Sequence, residues 1–407
     1  MDFEHSPRAR EYLERVSTFI AEEITPRERD HMQAILEAED PWQERPLMGE
    51  LKEKARAAGL WNLFLPDEEH GVGLSNVDYA PLAEAMGRSI MLAPEAFNCN
   101  APDTGNMEVL LQFGSDEQQS RWLEPLLAGE IRSAFCMTEP GVASSDATNM
   151  EATARVEGDE VVLDGVKWWS TNAGHPRCEV MIFMGLTDPE GHRHRRHSMV
   201  LVPRHTPGVT VERMLTVMGF DDAPSGHAQV RFEGVRLPLS AVIGEPGQAF
   251  AIAQSRLGPG RVHHCMRAIG LAELALELAC RRGTERSAFG KPLVNLGGNR
   301  ERIADARAAI DQSRLLVLNA AWLLDTQGLQ GALSAVSQIK FVVPSMAQGV
   351  VEMAIQLHGG GGLSSDFPLA GMWAGTRALR LADGPDEVHR GVVARLELAA
   401  HQKPADA

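Results

Sequence analysis

The segment RLADGPDEVHR, residues 380–390, sets a carboxylate, Asp383, directly before a Gly-Pro pair in a stretch that otherwise reads as helix. Gly-Pro interrupts a helix, and a carboxylate at the break can be held close to a ligand. Asp before Gly is also ordinary turn vocabulary, so on its own Asp383 reads either as a surface cap or as an acid–base group. Trp168 and Trp169 are adjacent in a strand-like segment. A two-residue period points them to opposite faces, so only one can stack on a flat ring. Arg286 suits a bidentate grip on phosphate, and the run Gly359 to Gly362 offers backbone amides to an anion or is a plain loop. GHRHRRH (191–197) reads as a solvated hairpin tip, with an anion or metal site as the alternative.

Three segments must position these groups. Residues 1–131 read as an N-terminal helical domain, opened by the Ser6–Pro7 cap pair and by Leu13, Val16 and Ile20 on one face. Residues 132–245 read as a middle β domain. ARVEGDEVVLDGVKWW (154–169) predicts two strands around a Gly-Asp turn; 180–186, 198–203 and 227–235 predict further strands. Residues 246–407 read as a C-terminal four-helix-bundle domain. There Ile303, Ile310, Val317 and Leu324 recur every seven residues, with Ala306, Ser313 and Ala320 three after each of the first three. Such alternation of large and small residues suits close antiparallel packing, so these stripes are core. The fold class is α+β.

The 407 residues carry a net charge of −16, with no Lys/Arg block dense enough for nucleic acid. No stretch approaches the ~18 uninterrupted apolar residues of a membrane span, and no secretory leader is visible at the N-terminus. Cys99, Cys136, Cys178, Cys265 and Cys280 form no CxxC, so reduced thiols, a cytoplasmic location and no metal site are expected.

Four motifs occur in order: FCMTEPGVASSDATNMEATA (135–154), LDGVKWWSTNAG (163–174), RVHHCMRAIGLAELALELACRRGTERSAFGKPL (261–293) and QLHGGGGLSSDFPL (356–369), the last followed by LADGPDE. In this arrangement the chain resembles the acyl-CoA dehydrogenase family over nearly its whole length. FNCNAPDTGNMEVL (97–110) and ADGPDEVH are similar to the subgroup whose eukaryotic members are fused to a kinase-like domain; no kinase-like segment is seen here, so the dehydrogenase module alone is expected.

The resemblance implies FAD as cofactor. FCMTEP, with Phe135, Met137 and Thr138, is similar to the segment that hydrogen-bonds the isoalloxazine. Ser144 and Ser145, in a loop one residue longer than usual, are able to approach the pyrophosphate and the substrate's CoA, without a choice between them. Trp169 matches the aromatic that packs on the flavin and Thr171 the Thr near N5; Trp168 adds a second indole and Ser170 replaces an Ile. Arg286 and Phe289, with Gln356, Gly359, Gly360 and Gly361, resemble residues that reach a neighbouring subunit's FAD, which implies a homodimer or homotetramer. The loop after the base, Pro385, Asp386 and Glu387, lies with the cofactor contacts, and Gly384 and Arg261 with the substrate.

The implied chemistry is α,β-dehydrogenation of an acyl-CoA, as in β-oxidation, with electrons passed to an electron-transfer flavoprotein. Family members acidify the α-carbon by hydrogen-bonding the thioester carbonyl to a backbone amide and a ribityl hydroxyl. Their base is a Glu at one of two places. Here the place before Arg261 is Gly260, which cannot serve, and the other is Asp383, so Asp383 is expected to be the base with Arg261 holding it. The relatives suggest medium or long chains, or 4-hydroxylated and phosphorylated ones. An oxidase on the same fold (acyl-CoA or nitroalkane oxidase) and a cofactor-free interaction protein are the alternatives.

Overall fold

Ser6 and Pro7 start the first helix as the sequence predicts: the Ser6 hydroxyl accepts from the Ala9 amide at 3.0 Å, and α1 runs Pro7–Phe19. Val16 and Ile20 turn inward and Leu13 is half-buried. The computed structural model describes residues 4–89 and 91–402, and at Arg256 and Leu257 the helical backbone only. Helices α2 (Thr25–Leu36), α3 (Pro46–Ala57), α4 (Asn76–Gly87) and α5 (Asp103–Phe113) follow.

Helix gives way to strand at Arg132. The strands are β1 (Arg132–Cys136), β2 (Thr153–Glu157), β3 (Glu160–Thr171), β4 (Cys178–Leu186), β5 (His197–Pro203), β6 (Val209–Leu215) and β7 (His227–Pro238). They form one sheet in the order β1-β4-β2-β3-β7-β6, with β5 on the other side of β4. The expected turn between β2 and β3 is present, with Gly158 at φ +64°. Alternation did not single out β1 or β6. β1 is parallel to β4 and buried on both faces, so its sequence has no polar face to alternate; β6 is an edge strand with a single buried residue, Leu215. One face of the sheet closes its own core around Phe183 and Phe232, whose ring centroids are 4.7 Å apart. Val180, Ile182, Met184, Met199 and Leu201 on β4 and β5 join the helical core instead.

Helix returns with α6 (Ala249–Glu285), α7 (Asn299–His358), α8 (Leu369–Leu379) and α9 (Asp386–Ala400). Gly328, at φ +67° and ψ −175°, divides the sixty-residue α7 into two helices. Ala306, Ile310, Ser313, Val317 and Ala320 are buried, as their seven-residue spacing predicts, while Ile303 and Leu324 are half-buried. α4 and α6 meet backbone to backbone. A Cβ on Gly270 would stand 1.8 Å from the Glu84 carbonyl oxygen, and one on Gly87 would stand 2.0 Å from that of Arg267. Leu82, Ala83 and Met86 therefore share one core with Val262, Met266 and Ile269.

A buried ionic network fastens β1 to the N-terminal helices. Arg132 pairs with Glu95 and, at 2.5 Å, with Asp103, whose other oxygen accepts from the Ser133 amide and hydroxyl. Lys52 reaches Glu95 at 2.8 Å. Burial alone would raise Glu95, but Arg132 and Lys52 hold its carboxyl well below the usual range. Glu44, Glu95 and His175 converge here, yet Lys52, Arg132 and Arg177 already balance the carboxylates.

Candidate active site

Asp383 lies on the turn between α8 and α9, and every handle on that turn is pinned. Lys340 Nζ, buried in α7, donates to the Leu379 carbonyl at 2.7 Å. Arg380 bonds the Asp386 carboxylate at 2.7 and 2.9 Å. Arg261 Nε and His389 Nε2 both donate to the backbone carbonyl of Asp383 at 3.1 Å. Held in this way, Asp383 adopts φ +53°, a left-handed conformation that a non-glycine residue keeps only when its surroundings over-determine it. Gly384 follows at φ +101°, where a Cβ would come within 2.9 Å of His389 Nε2. The Arg261 and His389 bonds act on the peptide carbonyl, and Asp383 itself is half-buried.

That placement refines the role expected of Arg261: it holds the base through the backbone. Burial pushes the Arg261 guanidinium down and Asp383 opposes that push. Burial, with Arg261 beside it, pushes His389 down to about 4, and burial lowers Lys340. The resemblance assigns no role to His264, which lies in the third motif. Its Nε2 stands 3.5 Å from Asp383 Oδ2. Asp386 is buried in its pairing with Arg380 and Arg390, so its carboxylate serves the turn, while Glu387 is exposed on α9.

The second group of candidates lies on the sheet. Two residues of β3, Trp168 and Trp169, intervene between Lys167, paired with Val230, and Ser170, paired with Ala228. Only one residue of β7 stands opposite them, and Trp169 takes φ +53°. This bulge overturns the expectation that the two indoles point to opposite faces: their ring centroids are 6.2 Å apart. Trp169 is 41% exposed and packs beside His227. The first two motifs meet here. The Trp168 amide donates to the Thr138 carbonyl at 2.9 Å, and buried Lys167 reaches the Met137 carbonyl at 3.0 Å and Glu139 at 2.6 Å. Phe135, Met137 and Thr138 are half-buried along the same rim.

Ser144 Oγ accepts from the Glu139 amide at 2.9 Å, which leaves Ser145 as the exposed hydroxyl of the loop. Ser170 is fully buried, so its side chain turns away from the rim. The Thr171 hydroxyl lies 2.9 Å from His227 Nδ1, and His227 Nε2 lies 3.1 Å from Asp222. Neither His227 nor Asp222 carries a sequence signal beyond strand alternation and a turn.

The third group gathers at the end of α6. Arg286 is its exposed C-cap, and Phe289, in the tight turn that follows, is 94% exposed at φ +49°. Arg282 lies over the Phe367 ring at 5.6 Å and links this end to the loop after the glycine run. Gly359 ends α7 at φ +61°; a Cβ on Gly359 or Gly360 would meet nothing, whereas one on Gly362 would strike the Ile355 carbonyl at 2.7 Å. Gln356 is exposed beside this open backbone, and Gly361 is half-buried against Phe367. Arg286, Phe289, Gln356 and the glycines are thus brought to one end of the molecule.

A helical, a sheet and a second helical part, with an aromatic rim on the sheet and a carboxylate on a strained turn among the helices, define the class of flavin-linked dehydrogenases built on this three-part fold. The chain belongs to the acyl-CoA dehydrogenase family. Its N-terminal, middle and C-terminal domain models match residues 6–130, 134–235 and 247–398. The chain is 49% identical to the probable acyl-CoA dehydrogenase FadE2 of Mycobacterium tuberculosis, over 98% of this chain and 97% of that one. It is 51% identical to mouse acyl-CoA dehydrogenase family member 10, over 98% of this chain but only 38% of that protein's length. A solved structure of a putative acyl-CoA dehydrogenase from Mycobacterium abscessus superposes with a TM-score of 0.96 at 68% identity, covering 98% and 100% of the two chains.

The family cofactor is FAD, and the residues present fit it. Trp168 Nε1 is buried with no partner among the described residues, and Trp169 presents an exposed ring beside it. Exposed Arg286 and the open glycine backbone supply the cation and amides that a dinucleotide phosphate needs.

Proposed function

We propose that this protein dehydrogenates an acyl-CoA thioester across its α,β bond, with Asp383 as the base. The observation that carries the reading is the Asp383 turn: Arg261 and His389 hold the Asp383 carbonyl, Lys340 the Leu379 carbonyl and Arg380 the Asp386 carboxylate, and together they keep Asp383 half-buried in a strained conformation. A surface cap needs no such restraint. Asp383 takes the α-proton, the electron pair left on the α-carbon forms the new double bond, and the β-hydrogen leaves as hydride. FAD, when bound, supplies the hydride acceptor. Excluding water around a half-buried carboxylate raises its basicity toward an unactivated C–H. Asp reaches one methylene less than the Glu usual in the family.

Phe135, Met137, Thr138, Trp168, Trp169 and Thr171 form the wall against the flavin, and Ser170 contributes only main chain. Ser145, whose hydroxyl is free of the Ser144–Glu139 tie, takes the CoA contact, with Arg261 and Gly384 near the acyl group. Arg286, Phe289, Gln356 and Gly359 to Gly361 act on a neighbour's cofactor in a homodimer or homotetramer. Exposed Leu315 and Trp322, seven residues apart on α7 and each 50% exposed, support association. Electrons leave to an electron-transfer flavoprotein, and the substrate is a medium or long acyl chain, with 4-hydroxy or phosphorylated variants included.

Graded acyl-CoA thioesters, given anaerobically while the flavin spectrum is followed and then with an artificial electron acceptor, test this directly. Bleaching by at least one thioester is expected, and Asp383→Asn should stay yellow and bleach at least ~10³-fold more slowly. No bleaching by any thioester would sink the reading, and peroxide release in air would move it to an oxidase.

A further inference from the structure

We infer that His264 is a positioning residue for Asp383: as a neutral imidazole it presents an N–H to one carboxylate oxygen and sets that base's orientation and basicity. The inference rests on Asp383 being the base. His264 lies one turn before Arg267 on α6, and Arg267 Nη2 is 3.3 Å from its Nδ1. Guanidinium can only donate, so Nδ1 must be an acceptor, and a neutral ring then carries its proton on Nε2. Nε2 is the atom 3.5 Å from Asp383 Oδ2, at the outer edge of hydrogen-bond range. A protonated imidazole would set its Nδ1–H against the N–H groups of the buried Arg267 and is disfavoured. Arg267 is itself fixed by the Cys99 carbonyl at 3.4 Å, so the relay from the N-terminal helical part to the base is continuous.

The charged groups described around the pair are engaged at other atoms. Arg261 and His389 hold the Asp383 carbonyl, and Lys340 holds the Leu379 carbonyl. Cys265 donates toward the Ile339 carbonyl, and His263, the neighbour of His264, is buried between Phe64 and Tyr79. Arg261, Lys340, His389 and Cys265 therefore act on the carboxylate through space, while His264 places a ring N–H against it.

Three variants test this, each checked for FAD content: His264→Leu, which removes the donor; His264→Gln, which returns an N–H of similar reach; and Asp383→Asn. Single-turnover flavin reduction is measured across pH with the thioester that bleaches the wild-type protein fastest. His264→Leu should lower the limiting rate at least tenfold, leave the thioester Kd within about twofold, and move the acid limb of the rate profile to higher pH. The direction follows because a donor to the carboxylate favours its ionised form and its loss raises the base's pKa. His264→Gln should recover much of the rate and return the limb. A wild-type rate and acid limb in His264→Leu, beside an inert Asp383→Asn, would overturn this inference alone. Normal bleaching by Asp383→Asn would overturn the base assignment and the inference with it.

Discussion

At the residue scale, the sequence carries the atoms of the site but not the bonds that orient them. Asp383 is legible because a carboxylate before Gly-Pro, in a chain with three other motifs in order, has one good explanation. Lys340 and His264 are not, because they lie 43 and 119 positions away and are recruited only when α7 and α6 meet the turn. Ser144 and Ser145 are indistinguishable in sequence; a single hydrogen bond from the Glu139 amide separates them. Arg286 yields a test at this scale. Because it is exposed, Arg286→Ala should barely affect folding. Removing a charge-assisted phosphate contact costs about 1.5–3 kcal/mol, so FAD retention should fall roughly tenfold or more and the oligomer should loosen with it. Equal flavin content and an unchanged sedimentation profile would show that the residue does not serve a neighbour's cofactor.

At the element scale, periodicity located the helices and most strands and failed where the backbone departs from its period. The bulge at Trp168 and Trp169 is the clearest case: two-residue alternation cannot register an insertion opposite Gln229. Gly328 is another, since a seven-residue spacing on one side of it does not announce a break on the other. The α4–α6 crossing depends on two glycines that read as unremarkable helix interior. Gly270→Ala would place a methyl against the Glu84 carbonyl and force the helices apart. Such overpacking costs about 1–3 kcal/mol, and a contact this close to a backbone oxygen lies toward the upper end, above the gain of about 1 kcal/mol that Ala brings to a helix. The melting temperature should therefore fall in Gly270→Ala and rise or hold in Gly349→Ala, where a Cβ meets nothing. Equal shifts in the two variants would refute the close-contact explanation.

At the scale of the whole molecule, acid should unfold the protein earlier than its surface charge alone suggests. Burial, with Arg132 near one and Arg267 near the other, pushes His175 and His263 down to about 3, and His389 lies at about 4. Unfolded, each ring takes a proton near its ordinary value of about 6.5. Their contribution to stability is therefore complete above that pH and is lost progressively as pH falls toward the folded values, on the order of a few kcal/mol for a fully buried ring. Thermal melts between pH 7.5 and 4.5 should show a steady decline that is shallower in His263→Phe, a change that also removes two unpartnered ring nitrogens; identical slopes would rule out His263 as a contributor. The shared helical core also bears on synthesis. Gly87 and Gly270 are separated by about 180 residues of chain. At roughly 5–20 residues per second, the apolar face of α4 emerges from the ribosome about 10–35 s before the helix that covers it. During that interval Leu82, Ala83 and Met86 have no permanent cover, so a nascent chain stalled anywhere in the sheet is a natural client for holding chaperones.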